Sequence, residues 1–305
     1  MTKKINSDTL ILHPKAKINL GLQILSKRKD GYHNINTVFS RISLHDELII
    51  TPAKLFSFEC IPQVCESNEL NLAFKAANAM KMHFGINEIY AKITLLKKIP
   101  SGAGLGGGSS DAASVLIGLN KFFNIKSNIT KLMSIATGLG ADVPYFIGKG
   151  TAVGEGKGEI LDYFDYNIPY YTLIVFPKIK ISTKWAYSSL TTEIISKPKT
   201  DFTNFIKAST ENPVLLKEKL YNDFEIPVFN KYPEIQSIKQ KMYQFGAIFA
   251  LLSGSGSALY GFFENRERGE IALEFFKSKD GYFVELCEPI IGNNGNDDDV
   301  SDSQD

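Results

Sequence analysis

The sequence has no run of apolar residues long enough to cross a membrane, which takes about 18 to 20 in succession. Its first eight residues, Met1 to Asp8, also lack the basic segment followed by an apolar segment that marks a secretory signal peptide. We therefore expect a protein that binds no membrane and works in the cytoplasm.

Cysteine is scarce, with only Cys60, Cys65 and Cys287 in the chain. Four residues separate the first two, and no histidine or further cysteine stands nearby to complete a tetrahedral zinc site. The odd count also argues against a disulfide framework. We expect free thiols in a reducing compartment.

Basic clusters are short, and acidic residues collect at one end of the chain. Residues 292–305 hold five of the 33 acidic side chains and none of the 34 basic ones, so the rest carries 34 basic and 28 acidic, a formal charge of +6. This acidic segment has little to bury, which predicts disorder. Lys27-Arg28-Lys29 is too short a run to indicate nucleic-acid binding. The charge suits a nucleotide ligand without requiring one.

The order of predicted elements indicates an α+β fold. An apolar fraction of 44% over 305 residues provides an ample core. Strand-like segments fill the first sixty residues, and helices then alternate with strands to the end. We expect a first domain over 1–165, a second over 166–288 and a disordered acidic tail over 289–305. The predicted strands are 9–12, 17–25, 36–42, 46–51, 55–60, 89–96, 171–177, 248–252, 258–263 and 282–287; the predicted helices are 71–83, a helix from Ser109 onward, 128–139 with Ser127 as its cap, 184–190, 213–221, 232–245 and 265–278.

A glycine-rich segment, residues 100–111, joins a predicted strand to a predicted helix. Five of the seven residues 102–108 are glycine. Glycine allows the backbone to approach a ligand closely, and the N–H groups at a helix start attract anions. We therefore interpret this segment, called the glycine loop below, as a phosphate cradle. Its candidate residues are Pro100, Gly102, Gly104, Leu105, Gly106, Gly107, Gly108, Ser109, Ser110 and Asp111.

Two familiar phosphate motifs do not fit the glycine loop. The spacing from Gly102 to Gly107 matches a dinucleotide fingerprint, but no acidic residue lies between Asp111 and Asp142 to bind a ribose. A Walker loop needs Gly-Lys-Ser/Thr, whereas Gly108 is followed by serine. A second glycine cluster, residues 253–257, taken alone indicates a hairpin turn.

Two further residues have the chemistry for phosphoryl transfer. Strict alternation in the strand that carries Lys17 and Asn19 places both side chains on one face. Asp142 follows a glycine and an alanine and precedes Val-Pro, which restricts its backbone. Considered singly, Asp142 is more typical of a capping residue or a surface ion pair, and Lys17 of a solvated strand edge.

Three segments together resemble the GHMP kinase superfamily: the strand with Lys17, the glycine loop with its Gly-Leu-Gly-Gly-Gly-Ser-Ser-Asp, and Ser-Gly-Ser-Gly-Ser at 253–257. The resemblance implies an ATP-dependent small-molecule kinase with two domains. The first is an ATP-binding domain of the ribosomal protein S5 domain 2-like type, and the second is ferredoxin-like. It implies Asp142 as the catalytic base, Lys17 as its electrostatic partner, and Mg²⁺ with ligands that the sequence does not settle, Ser109 or Ser110 among the candidates.

Five shorter motifs are more specific: Ala-Lys-Ile-Asn-Leu at 16–20, Asp-Gly-Tyr-His at 30–33, Asn-Leu at 71–72, Gly-Ala-Asp-Val-Pro at 140–144 and Glu-Gly-Lys-Gly-Glu at 155–159. They resemble the superfamily members that phosphorylate the 2-hydroxyl of a CDP-linked methylerythritol. Asn71, Leu72 and Lys97 then line the adenosine end of the ATP site. The cytidyl-substrate side is implied to comprise Asn19, Tyr32, His33, Asp142, Thr183 and Tyr187, with Tyr32 and Tyr187 enclosing the pyrimidine ring. Two alternatives stay open, a homoserine or mevalonate type of kinase and a non-catalytic ligand-binding protein of the same fold. We expect a small-molecule substrate, no nucleic-acid partner, and a monomer or homodimer.

Overall fold

The computed structural model describes residues 9–65, 67–86, 88–195 and 197–290. The acidic tail that we predicted to be disordered, residues 289–305, lies outside these residues apart from 289 and 290. Within the described part of the chain, no helix combines the length and the apolar character that a membrane crossing needs.

Three four-stranded sheets form the framework of the described residues. The first sheet has the order β1-β4-β6-β5, the second β2-β3-β7-β8 and the third β10-β11-β9-β12. Neighbouring strands are antiparallel except for β5 and β6, which are parallel. The strands are β1 Leu10–Leu12, β2 Lys15–Lys27, β3 His33–His45, β4 Glu47–Pro52, β5 Ser57–Ile61, β6 Ala91–Leu96, β7 Thr151–Glu155, β8 Ile160–Phe164, β9 Tyr171–Phe176, β10 Phe249–Leu252, β11 Leu259–Phe263 and β12 Phe283–Cys287.

Helices cover the sheets, and one of them forms the centre of the N-terminal core. The helices are α1 Leu72–His83, α2 Gly107–Phe122, α3 Ile129–Leu139, α4 Val143–Ile147, α5 Thr183–Ser188, α6 Thr192–Ile195, α7 Phe202–Ala208, α8 Val214–Lys219, α9 Glu225–Lys231, α10 Pro233–Gln244 and α11 Arg266–Lys277. α2 packs against α1, α3 and α4 and against the first sheet. It is buried almost all round, so its sequence is apolar beyond the single stripe of a surface helix.

Strand β2 lies at the junction between the N-terminal and C-terminal parts of the chain. Alternation predicts one polar face, yet residues 16 to 24 are all buried. The reason is that the apolar face, with Ile18 and Leu20, packs with Tyr260 and Phe262 of the third sheet in one core cluster. The polar face lies toward the glycine loop. This core cluster contains residues from both sides of position 165. The domain boundary expected there therefore stays a prediction.

The predicted α+β element order is confirmed, with several short elements missed. β7, β8, α4, α6, α7 and α9 have seven residues or fewer, too short to show a clear period in the sequence. α2 begins at Gly107, two residues earlier than expected, with Gly106 rather than a serine before it. The cap of α3 was also predicted wrongly. Its side-chain acceptor is Asn128, which receives the N–H of Lys131, and not Ser127.

The corrected cap gives a direct test of the start of α3. Replacing Asn128 with alanine removes the acceptor of the Lys131 N–H, and we expect a loss of about 1 kcal/mol in the free energy of unfolding, measured by urea denaturation. Ser127→Ala is the matched control and should change it by less than about 0.5 kcal/mol. A larger effect at Ser127 than at Asn128 would show that the cap is misassigned.

Candidate active site

The glycine loop has an alternating backbone that only glycine adopts readily. Gly102, Gly104 and Gly106 have φ angles of 71°, 85° and 70°, in the left-handed region. Gly106 then precedes α2 and has no side chain to cap the N–H groups of its first turn. Those N–H groups have no partner within the helix and point toward its open end. This geometry fits the predicted phosphate cradle.

The second glycine cluster contacts the glycine loop directly. It is the turn between β10 and β11, so the hairpin interpretation is correct as far as it goes. Its Ser253 Oγ donates to the carbonyl of Gly104 at 2.9 Å, and the Ala258 N–H donates to the carbonyl of Ala103 at 3.1 Å. A Cβ at Gly104 would lie 2.2 Å from the Ser253 carbonyl oxygen. Residue 104 must therefore be glycine for the two segments to meet.

Lys17 is buried beside the glycine loop and is held through its neighbours. Its backbone N–H donates to the carbonyl of Leu105 at 2.9 Å. Its ammonium donates to Asn19 Oδ1 at 2.8 Å and lies 5.2 Å from the centroid of the Phe39 ring. Lys17 and Asn19 share one face of β2, as predicted. Phe39 was not singled out in the sequence.

Asn19 connects three parts of the site. Its Oδ1 accepts from Lys17 and also from the backbone N–H of Gly254, at 3.0 Å. Its Nδ2 donates to the hydroxyl of Thr37 at 2.8 Å, and that hydroxyl donates to the carbonyl of Gly21 at 2.6 Å. Because the Thr37 hydroxyl has only one hydrogen to donate, this arrangement fixes which way the Asn19 amide points. In this structure Asn19 therefore supports Lys17 and the 253–257 turn.

Asp142 lies immediately before α4 and faces Lys17. Its Oδ2 is 3.5 Å from Lys17 Nζ, and its side chain is 35% exposed, against 5% for Lys17. The carboxylate makes no capping hydrogen bond to α4. It is thus available from the solvent side while a buried ammonium stands next to it. The structure brings together the two residues predicted to be catalytic, 125 positions apart in the chain.

Aromatic residues border Asp142 on its other side. The rings of His33 and Tyr187 stack with centroids 5.0 Å apart and planes 20° from parallel. Burial, and secondarily the charge of Asp142, raises the pKa of the Tyr187 hydroxyl to about 12. Burial also lowers the pKa of His33, which favours a neutral imidazole. His33, Tyr187 and Asp142 therefore form one group of neighbours.

The remaining residues predicted for the cytidyl side lie around this group. Thr183 begins α5, and its hydroxyl is 3.3 Å from that of Ser255 in the 253–257 turn. Tyr32 is 61% exposed, with the ammonium of Lys157 4.9 Å from its ring centroid. The ring that stacks on Tyr187 here belongs to His33. Enclosure of a pyrimidine by Tyr32 and Tyr187 stays a prediction.

The residues predicted for the adenosine end differ in how exposed they are to a ligand. Asn71 is buried and caps α1 by accepting from the Ala73 N–H at 2.9 Å. Leu72 approaches the glycine loop, because its Cδ1 would lie 3.7 Å from a Cβ at Gly108. Ser109 is half-buried at the start of α2, whereas Ser110 is buried.

Lys97 is part of a buried ionic trio with Asp46 and Asp111. Its ammonium bonds to Asp46 Oδ2 and, at 2.7 Å, to Asp111 Oδ2. The other Asp46 oxygen accepts the N–H groups of Lys98 and Ile99, at 2.5 and 2.8 Å. Asp46 thus fixes the chain just before the glycine loop. Sequence reasoning missed it, although an acid between two apolar strands was a signal.

The trio changes how Lys97 and Asp111 are interpreted. Both side chains are buried at the start of α2, where the ammonium of Lys97 lies 3.2 Å from a Cβ built at Gly107. Burial raises the pKa of Asp111 to about 8, against the attraction of Lys97. Desolvation lowers the pKa of Lys97, but the charges of Asp111 and Asp46 outweigh it and raise that pKa overall. Nucleotide binding by Lys97 and Asp111 stays a prediction.

Comparisons with known proteins show which family the chain is similar to. A family model described as the GHMP kinases N-terminal domain matches residues 71–150, and one described as the GHMP kinases C-terminal matches 198–281. A relative from Chlorobium phaeobacteroides (strain BS1) is 42% identical over 90% of this chain and 96% of its own length. A crystal structure of 4-(cytidine 5'-diphospho)-2C-methyl-D-erythritol kinase is 30% identical, with a TM-score of 0.79 over 92% of this chain and 99% of that one.

The chain therefore belongs to the GHMP kinases, with their two-domain fold, and is an ATP-dependent kinase of small molecules. The Chlorobium relative, and another from Acetivibrio thermocellus at 38% identity over 90% of this chain and 96% of its own length, carry the name 4-diphosphocytidyl-2-C-methyl-D-erythritol kinase. A homoserine kinase from Cytophaga hutchinsonii shares the fold, with a TM-score of 0.72 at 15% identity over 97% of this chain and 99% of that one.

The close approach at Gly104 can be separated from its backbone angle. Gly102→Ala and Gly104→Ala both place a side chain at a positive φ, which costs about 1–2 kcal/mol. Only Gly104→Ala also collides with Ser253, since a Cβ at Gly102 meets no atom within 4 Å. We expect Gly104→Ala to lower the free energy of unfolding by a further 1–3 kcal/mol or so, measured with urea. Equal losses in the two variants would contradict the contact.

Asp111 should make stability depend on pH. Its pKa in the folded protein exceeds its ordinary value of 3.8, so the folded state holds the proton more tightly than the unfolded state. Stability is therefore lost as the pH rises from about 4 to about 8, by up to about 1.4 kcal/mol per pH unit. The isosteric Asp111→Asn variant cannot titrate at this position. Between pH 6 and 8 the free energy of unfolding of the wild type should therefore fall relative to that of the variant. Parallel curves would show that Asp111 is ionised throughout.

Proposed function

We propose that this protein transfers the γ-phosphoryl group of ATP to the 2-hydroxyl of 4-diphosphocytidyl-2-C-methyl-D-erythritol, a step of isoprenoid precursor synthesis. The observation that carries the proposal is the Lys17–Asp142 contact of 3.5 Å beside the glycine loop. The names of the relatives at 30% identity or more supply the substrate. A non-catalytic binding protein would have no need for a buried ammonium against an accessible carboxylate.

The chemistry follows from the charges at this point. The Asp142 carboxylate accepts the proton of the 2-hydroxyl, the oxygen attacks the γ-phosphorus, and ADP departs with the electrons of the broken bond. Lys17 stabilises the negative charge of the phosphoryl group during transfer. The N–H groups at the start of α2 bind the phosphates of ATP.

The assignment of the two substrate ends uses the residues around these charges. We place adenosine near Asn71 and Leu72, which adjoin the glycine loop, and the cytidyl group near the His33–Tyr187 pair. A neutral imidazole and an aromatic face suit hydrogen bonding and stacking with a pyrimidine. Tyr32 and Thr183 flank this end.

Magnesium is expected with the triphosphate, because it screens the phosphate charge. Within the described ranges, no group of three or more His, Cys, Asp or Glu side chains is placed to hold a metal ion. That fits Mg²⁺, which usually takes one or two protein ligands and completes its shell with phosphates and water. Of the two serines proposed, Ser109 is the better candidate because Ser110 is buried. Oligomeric state, monomer or homodimer, and cytoplasmic location stay predictions.

The substrate is tested by ADP release in a coupled assay. Purified protein with ATP and Mg²⁺ should release ADP with 4-diphosphocytidyl-2-C-methyl-D-erythritol, and at least a hundredfold more slowly with homoserine or mevalonate. The phosphorylated product is identified by mass spectrometry. ADP release at background level with the cytidyl substrate would reject the proposal, and faster turnover of either competitor would reassign the substrate.

The roles of Asp142 and Lys17 are tested separately by substitution. Asp142→Asn removes the proton acceptor while keeping its shape, and we expect kcat to fall by about 10²–10⁴-fold with KM little changed. Lys17→Met should lower kcat to a similar extent. Lys15→Met, on the same strand, is the matched control and should keep kcat within about threefold. Full activity of Asp142→Asn would show that another group takes the proton.

A further inference from the structure

Arg41 is a buried cation that none of the assigned roles explains. Only 6% of it is exposed, and it forms no ion pair with a carboxylate of any described residue. Its Nε and Nη1 atoms have no hydrogen-bond partner in the described structure. A guanidinium in such a place is costly, and an apolar side chain of similar size would pack without that cost. The cost of burying this charge therefore indicates that Arg41 has a specific function.

The one hydrogen-bonding nitrogen of Arg41 holds the end of helix α4. Nη2 donates to the carbonyls of Tyr145, Phe146 and Gly148 at 3.3, 3.1 and 2.6 Å. These carbonyls form the C-terminal end of α4, where a positive charge is favourable. The guanidinium carbon also lies 5.3 Å and 5.9 Å from the ring centroids of Tyr145 and Phe146. The charge is thus balanced by carbonyl dipoles and ring faces.

Asp142 lies immediately before the other end of α4, so this helix connects Arg41 to the proposed catalytic base. Lys17 of β2 and Arg41 of β3 are directly paired across the second sheet, so their side chains leave from the same face. Lys17 reaches Asp142 at the start of α4, and Arg41 reaches the carbonyls at its end. Two paired strand positions therefore hold both ends of one five-residue helix.

A shift of α4 would also change the packing at the glycine loop. The Phe146 ring and the Lys17 side chain lie at 3.0 Å and 2.9 Å from a Cβ built at Gly106. α4, through Phe146, and Lys17 therefore meet the glycine loop at the same residue. A helix this short has little stability of its own and takes its position from such contacts.

We propose that Arg41 is a positioning residue that sets the distance between Asp142 and Lys17 by anchoring the C-terminal end of α4. The inference rests on the proposed role of Asp142 as the base. Because Arg41 is buried against α4, the proposal predicts an effect on the chemical step and not on nucleotide affinity. Misplacement of a reacting group by about 1 Å can reduce a rate by about a hundredfold.

The test compares Arg41→Met, which keeps the length and removes the charge, with Arg41→Lys, which keeps the charge and loses the planar fork. We expect kcat to fall about 10–100-fold in Arg41→Met and by a smaller factor in Arg41→Lys. KM for both substrates should stay within about threefold of wild type. Ser40→Ala is the matched control: it is the preceding residue of β3, faces the opposite side and bonds to Thr151, and it should leave kcat unchanged.

The outcomes separate this inference from the proposed function. If wild type is inactive on the cytidyl substrate, or Asp142→Asn is fully active, the proposed function fails. If wild type is active, Asp142→Asn is not, and Arg41→Met keeps kcat within twofold, Arg41 does not position the base. A parallel rise in both KM values with unchanged kcat would likewise overturn the inference. Should Arg41→Met fail to fold, Arg41→Lys decides by the same split between kcat and KM.

Discussion

The contact between the glycine loop and the 253–257 turn is the constraint on which the rest of the site depends. Two segments about 150 residues apart meet backbone to backbone at Gly104 and Ser253, at a distance that excludes any side chain. The turn brings Gly254 to the Asn19 amide, and the loop brings the Leu105 carbonyl to the backbone of Lys17. The C-terminal part of the chain thereby takes part in holding Lys17.

Three buried cations surround the glycine loop, and each is balanced in a different way. Lys97 faces the side chains of Asp46 and Asp111, and Lys17 faces one carboxylate and one amide oxygen. Among the described residues, Arg41 faces only carbonyl dipoles and aromatic rings. Buried charge contributes little to stability unless its partners are well placed. The three arrangements instead fix position: Lys97 with Asp46 near the start of α2, Lys17 beside Asp142 and the glycine loop, and Arg41 at the C-terminal end of α4. Rigid placement of charge is what phosphoryl transfer demands.

The range over which a sequence signal acts explains which predictions agree with the structure. The shared face of Lys17 and Asn19 followed from strand alternation, which is a local rule. A helix after the glycine loop was also predicted, although it begins at Gly107 and not at Ser109. Predictions were wrong where an element was too short to show a period, or where two neighbouring residues could play the same part. α4 has five residues, and the cap of α3 fell on Asn128 because two neighbouring residues could both accept an N–H.

By itself the sequence determined the strand face that carries Lys17, a glycine loop that leads into a helix and, through its motifs, the family. These depend on backbone preferences and periods that act within a few residues. Tertiary structure alone decided that Asp46 and Asp111 share Lys97, that His33 rather than Tyr32 stacks on Tyr187, and that Arg41 reaches the far end of the helix that begins after Asp142. Such pairings depend on how strands and loops distant in the chain are brought together, and no local period encodes that.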